Sequence, residues 1–183
     1  VTEQLDRFPL RREQTLDLIA QHRGTILQVA HEEQVNPMFL AAILFDEINH
    51  VKPGDDLLVS LGIGKTIGLA QLSVDELRQQ GRLAADPDRD PNYQARAQAY
   101  LSDPENNIRT LALKVRRIQT MLGIPVNRPL TISHGYRDAR RMALIALLHN
   151  GKADYPARIL EYMEDSALHE AIYQRRIYPL ISS

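Results

Sequence analysis

One stretch limits what this chain can fold into more than any other: Pro37-Met-Phe-Leu-Ala-Ala-Ile-Leu-Phe-Asp-Glu-Ile-Asn49. From Phe39 to Phe45 every residue is apolar. A helix here is greasy nearly all round, and such a helix belongs at the centre of a fold. Its last turn carries two carboxylates, Asp46 and Glu47. Periodicity alone does not say which of them faces inward. A carboxylate among apolar side chains is costly to ionise, so its pKa is expected to rise. A carboxyl group that keeps its proton near neutral pH can serve as a general acid. The bland alternative is a frayed helix end with both acids in water.

The chain has 183 residues, enough for one well-buried domain and short for two. Hydrophobic residues make up 44%, so a packed core is expected and wholesale disorder is not. The net charge of -1 implies no global pull toward nucleic acid or an anionic surface. Arg137, Arg140 and Arg141 form a local basic cluster, read as a solvated helix face. Without cysteine there are neither disulfides nor thiolate metal sites. No apolar run approaches the length of a membrane span. The chain begins with Val1 and lacks a signal-peptide pattern, as a processed mature form or an excised domain would.

The pattern is all-α, with no composition shift to mark a second domain over 1–183. Helical spacing covers 12–22 and 24–34. Asn36 is placed to cap the helix that Pro37 opens and that runs to about 49. From 51 to 66 the pattern fails, and Pro53, Gly54, Gly62 and Gly64 mark a loop or a short irregular hairpin. Ser73 is placed to cap a short helix at 74–80, with Glu76 at the capping-box position. Residues 81–91 read as a loop and 92–101 as a helix. Asp103-Pro104 opens the strongest helix, striped by Ile108, Leu111, Ala112, Val115, Ile118 and Leu122. Gly123 stops it, and 124–135 is a connector. Helices over 136–149, 155–164 and 167–176 complete the chain.

Several patterns invite chemistry. Glu47-Ile-Asn-His50 is a Glu-x-x-His pair, but a di-iron bundle needs two, and no second one exists. His31-Glu32-Glu33 lacks the second His of a zinc-protease helix. No metal or cofactor is therefore expected, and His50 reads as a helix-end or solvent-facing residue. Gly62-Ile-Gly-Lys-Thr66 resembles a phosphate loop only in part, since Val59 stands where its first Gly belongs. Gly68-Leu-Ala-Gln71 offers a backbone that a ligand can approach closely and an amide that both donates and accepts. Asn150, before Gly151, is by default a helix stop, and otherwise an amide aimed into a cleft.

In order along the chain, Val35-Asn36-Pro37, the helix ending at Glu47, Gly64-Lys-Thr-Ile-Gly68-Leu-Ala-Gln71, Asn107-Ile108 and His149-Asn150-Gly151 resemble the lysozyme-like superfamily. The likeness is to its lytic transglycosylases and goose-type lysozymes, and it spans about 35–151. The resemblance implies an all-α lysozyme-like domain that cleaves β-1,4 bonds between N-acetylmuramic acid and N-acetylglucosamine in peptidoglycan. It implies Glu47 as the general acid/base, with Gln71, Asn150 and Gly68 lining the glycan cleft, and a periplasmic or secreted setting. The departures are Ile48 for Ser, Ala70 for Met, His149 for Tyr, and an extra residue before Gly68. They leave a non-catalytic glycan- or partner-binding module as the alternative. Trp, the common sugar platform, is absent. Tyr93, Tyr136, Tyr155 and Tyr173 are the rings available instead, and Tyr173 is counted among the substrate-binding candidates. The goose-type second acid falls at Ser73, which leaves Asp55 and Asp56 as the nearby substitutes and favours the transglycosylase.

Overall fold

The computed structural model describes residues 9–50, 67–83, 90–131 and 136–174. Among them the fold is all-α. In chain order the helices are α1 (Pro9–Gln21), α2 (Arg23–Glu33), α3 (Pro37–His50), α4 (Val74–Gln79), α5 (Tyr93–Ser102), α6 (Pro104–Met121), α7 (Tyr136–Asn150), α8 (Tyr155–Met163) and α9 (Ser166–Tyr173). The last ends three residues short of the sequence expectation, with Gln174 left-handed behind it. The expected loop or hairpin at 51–66, the phosphate-loop-like stretch, Asp55 and Asp56 lie outside the described residues.

The apolar helix α3 is central. It packs against α1, α2, α6, α8 and α9, and every residue from Met38 to Asp46 is buried. Its start follows from one side chain. Asn36 Oδ1 accepts from the amides of Met38 (2.8 Å) and Phe39 (3.1 Å), while Nδ2 donates to Leu130 O at 2.7 Å. The cap satisfies two orphan donors and ties the connector after α6 to the core helix.

Burying a Leu, Ile, Phe or Met contributes about 1.5–3 kcal/mol. Burying a carboxylate alone costs several kcal/mol. The helix carries Asp46 inside because Arg158 of α8 meets it, with Nε to Oδ1 at 2.5 Å and Nη2 to Oδ2 at 3.3 Å. Arg158 also pairs with Asp154 at 2.7 Å.

The stripe expected on α6 is buried from Ile108 to Ile118, while Leu122 is half-buried at the C-cap, and Asp103 caps that helix through Asn106 N at 2.9 Å. Ser73 caps α4 as expected, its hydroxyl accepting from Glu76 N at 3.3 Å. The reciprocal half of the capping box is corrected. Glu76 is buried, and its carboxylate is held by Arg117 Nη2 at 2.9 Å and Gln80 Nε2 at 2.9 Å. The charge-assisted pair with Arg117 takes up the carboxylate that a capping box would turn back to the Ser73 amide.

Candidate active site around Glu47

Asp46 and Glu47 are neighbours about 100° apart on the helix, and this rotation separates their fates. Asp46 is locked to Arg158, while its carbonyl meets His50 Nδ1 at 2.7 Å. Glu47 turns to the gap between the end of α7 and the start of α8, with its side chain 17% exposed. Tyr155 OH donates to Glu47 Oε1 at 3.2 Å. His149 Nε2 lies 3.7 Å from the same oxygen, beyond hydrogen-bond length. Oε2 accepts no hydrogen bond among the described residues, and it is not one of the buried atoms lacking a partner. One oxygen is held and the other is open.

The surroundings fix the charge states of the holders. Burial pushes the Tyr155 hydroxyl far above its usual range, helped by the negative charge of Glu47 and Asp46. It therefore remains a donor. The His149 side chain is 4% exposed. Burial lowers its pKa against the upward pull of Glu47, and Lys114 lowers it further. The imidazole is neutral at neutral pH, with Nδ1 buried and unpaired among the described residues. It packs against Tyr155 with ring centroids 5.9 Å apart. Lys114 of α6 donates to His149 O at 3.2 Å. Burial depresses its pKa, while Glu76 and Glu47 support the charge.

The Gly68–Gln71 turn is built by α6. Ile67 and Leu72 pair through N–H···O bonds of 2.8 and 3.0 Å, and Gln71 N donates to Gly68 O at 3.1 Å. Buried Asn107 clasps this turn. Its Nδ2 donates to Ile67 O and Leu101 O, both at 2.9 Å, and its Oδ1 accepts from Ala70 N at 2.8 Å. A Cβ on Gly68 (φ +74°) would sit 2.1 Å from Asn107 Nδ2 and 2.4 Å from Leu101 O. The close approach that requires glycine is thus to the protein's own Asn107. Gln71 is left-handed (φ 46°) and its Nε2 donates back to Gly68 O at 2.9 Å.

Of the candidate residues, Glu47 stands beside His149. Asn150 follows as the last residue of α7, its Oδ1 buried without a described partner. No described hydrogen bond or ion pair joins Gln71 or Tyr173 to Glu47. Tyr173 is exposed at the end of α9, its ring 5.9 Å from that of His169. As sugar platforms, Tyr93 and Tyr155 are corrected: both are buried. Sequence reasoning missed Tyr155 as a partner of Glu47, and it missed Lys114 and the clasp by Asn107. An Asn directly before the apolar stripe of α6 was the one local signal for the clasp.

Chemically, the arrangement offers one oriented carboxylate for proton transfer. Among the described residues, two carboxylates of the same core are committed, Asp46 to Arg158 and Glu76 to Arg117. Ser73 supplies no second acid. No described group of three His, Asp or Glu side chains has metal-binding geometry, and no described helix is long and apolar enough to cross a membrane. No protein-family model, curated protein or solved structure matches this chain.

Proposed function

We propose that this protein is a peptidoglycan-cleaving glycosidase of the lytic transglycosylase type, with Glu47 as its single general acid/base. The observation that carries the reading is the division of the Glu47 carboxylate, with Oε1 held by Tyr155 and Oε2 open. Protonated Glu47 gives its proton to the glycosidic oxygen as the bond from that oxygen to C1 of N-acetylmuramic acid breaks. The resulting carboxylate takes the proton of the muramoyl 6-hydroxyl, whose oxygen bonds to C1 and closes a 1,6-anhydro ring. Water in place of that hydroxyl would give hydrolysis. Among the described residues, the commitment of Asp46 and Glu76 to arginines supports a mechanism with one carboxylate. The substrate assigns such an enzyme to the periplasm or the cell exterior, with glycan strands as its partner.

Purified protein is incubated with peptidoglycan sacculi and the released muropeptides are weighed by mass spectrometry. Anhydro-muropeptides are expected, and reducing ends would convert the reading to a muramidase. Release by wild type no greater than by Glu47→Gln would reject both. A second reading, a non-catalytic glycan- or partner-binding module, is favoured by Gln71, whose amide donates back into its own turn. Sedimentation with sacculi without turnover is its outcome.

A further inference from the structure

Helix α7 presents a face that the described fold leaves uncovered. Tyr136, Arg140, Leu144 and Leu148 recur every four residues and so run along one side. Tyr136 is 78% exposed, Leu144 42% and Leu148 50%. Beside this stripe Arg137, Arg140, Arg141, Leu144, Leu147 and Pro156 line a groove of about 630 Å³, a size typical of ligand-holding clefts. Its charges are one-sided, for among the described residues no acidic side chain lines it. Arg141 is paired with Asp138 at 3.2 Å, and the Arg140 guanidinium lies 5.5 Å from the Tyr136 ring centre. Arg137 and Arg140 have no carboxylate partner among the described residues.

We infer that this face docks an amphipathic acidic segment of another protein, whose aliphatic side chains fill the Leu144–Leu147–Pro156 floor and whose Asp or Glu side chains meet Arg137 and Arg140. Arginine beside apolar floor is the composition of interface centres. A second copy of this chain is a poor occupant, because a two-fold pairing sets these arginines against themselves or against Leu144 and Leu148. A bilayer is a poor occupant as well, because a concave floor admits a ridge and a flat headgroup layer would touch only its rim. The inference is independent of the glycan-cleaving reading.

A random-peptide phage library is panned against wild type, and the selected peptides are synthesised with a fluorophore. Their anisotropy is then titrated with wild type, Arg137→Glu/Arg140→Glu and Leu144→Lys. All three positions are on the surface, so unchanged melting curves certify the fold. The expected peptides combine Asp or Glu with Leu, Ile or Met, and they bind either variant about ten-fold or more weakly. Added salt also weakens their binding. Selection of peptides without an acidic excess, equal binding by the charge-reversed variant, or no selection at all overturns the inference. So does sedimentation with phosphatidylglycerol vesicles that the charge-reversed variant loses, or a dimer in ultracentrifugation that Leu148→Lys disperses.

Discussion

Tyr155 holds Glu47 from across the α3–α8 interface, its hydroxyl 3.2 Å from Oε1. The phenol orients a carboxylate whose other oxygen has no hydrogen-bond partner among the described residues. Tyr155→Phe keeps the packing and deletes the bond. A hydrogen bond to a charged acceptor contributes about 1.5–3 kcal/mol, so muropeptide release should slow by about ten-fold or more. The melting temperature should fall by several degrees, about 2–4 °C per kcal/mol lost, without unfolding the protein at the assay temperature. A Tyr155→Phe protein as fast as wild type would remove the phenol from the proposed mechanism.

Asn107 and Gly68 form one device. Asn107→Ala leaves Ala70 N and Leu101 O without their partner, each costing about 1–3 kcal/mol when buried and unpaired, while Ile67 O keeps Leu72 N. Gly68→Ala drives a methyl group into Asn107 and the Leu101 carbonyl at a left-handed backbone position. Both variants should lose about 3 kcal/mol or more in urea unfolding. Wild-type stability with lowered glycan affinity would instead make Gly68 a ligand-contact residue.

Arg158→Met leaves buried Asp46 with, among the described residues, only His50 Nδ1 beside it, 3.4 Å from Oδ1, and should destabilise by about 3–5 kcal/mol. Adding Asp46→Leu should restore most of that loss, since an apolar pair of similar volume serves the interface as well. A double-mutant cycle in urea checks this. Simple additivity would show that the two side chains do not depend on each other.

His149 makes stability depend on pH. Its imidazole titrates near 6.5 when unfolded and lower when folded, because burial opposes the charge. Between those two values the unfolded chain binds more protons. Stability should therefore be fully present above about 6.5 and be lost progressively as pH falls toward the folded value, with a slope of at most about 1.4 kcal/mol per pH unit. Unfolding of wild type and His149→Gln across that range isolates the effect. Identical slopes would mean that His149 is free to protonate in the folded protein.

The helices were legible in the sequence where their signals are local. Asn36, Ser73 and Asp103 act on amides two or three residues ahead, and a reader of the chain finds each in its window. The central place of α3 followed from its unbroken apolar run. Which of its two acids would stay accessible did not, since the answer comes from Arg158, 112 residues away, and Tyr155, 108 residues beyond Glu47. The capping-box expectation at Glu76 failed for the same reason: Arg117 reaches it from another helix. Gly68 and Asn107 were both visible as motif residues, yet only packing reveals that they serve each other.

The two ends flanking 51–66 are anchored separately. His50 is fastened to the turn before it, and Ile67 is bridged to Leu72 and gripped by Asn107. The turn that carries Gln71 is thus moored to α6, and whatever displaces Asn107 displaces it too.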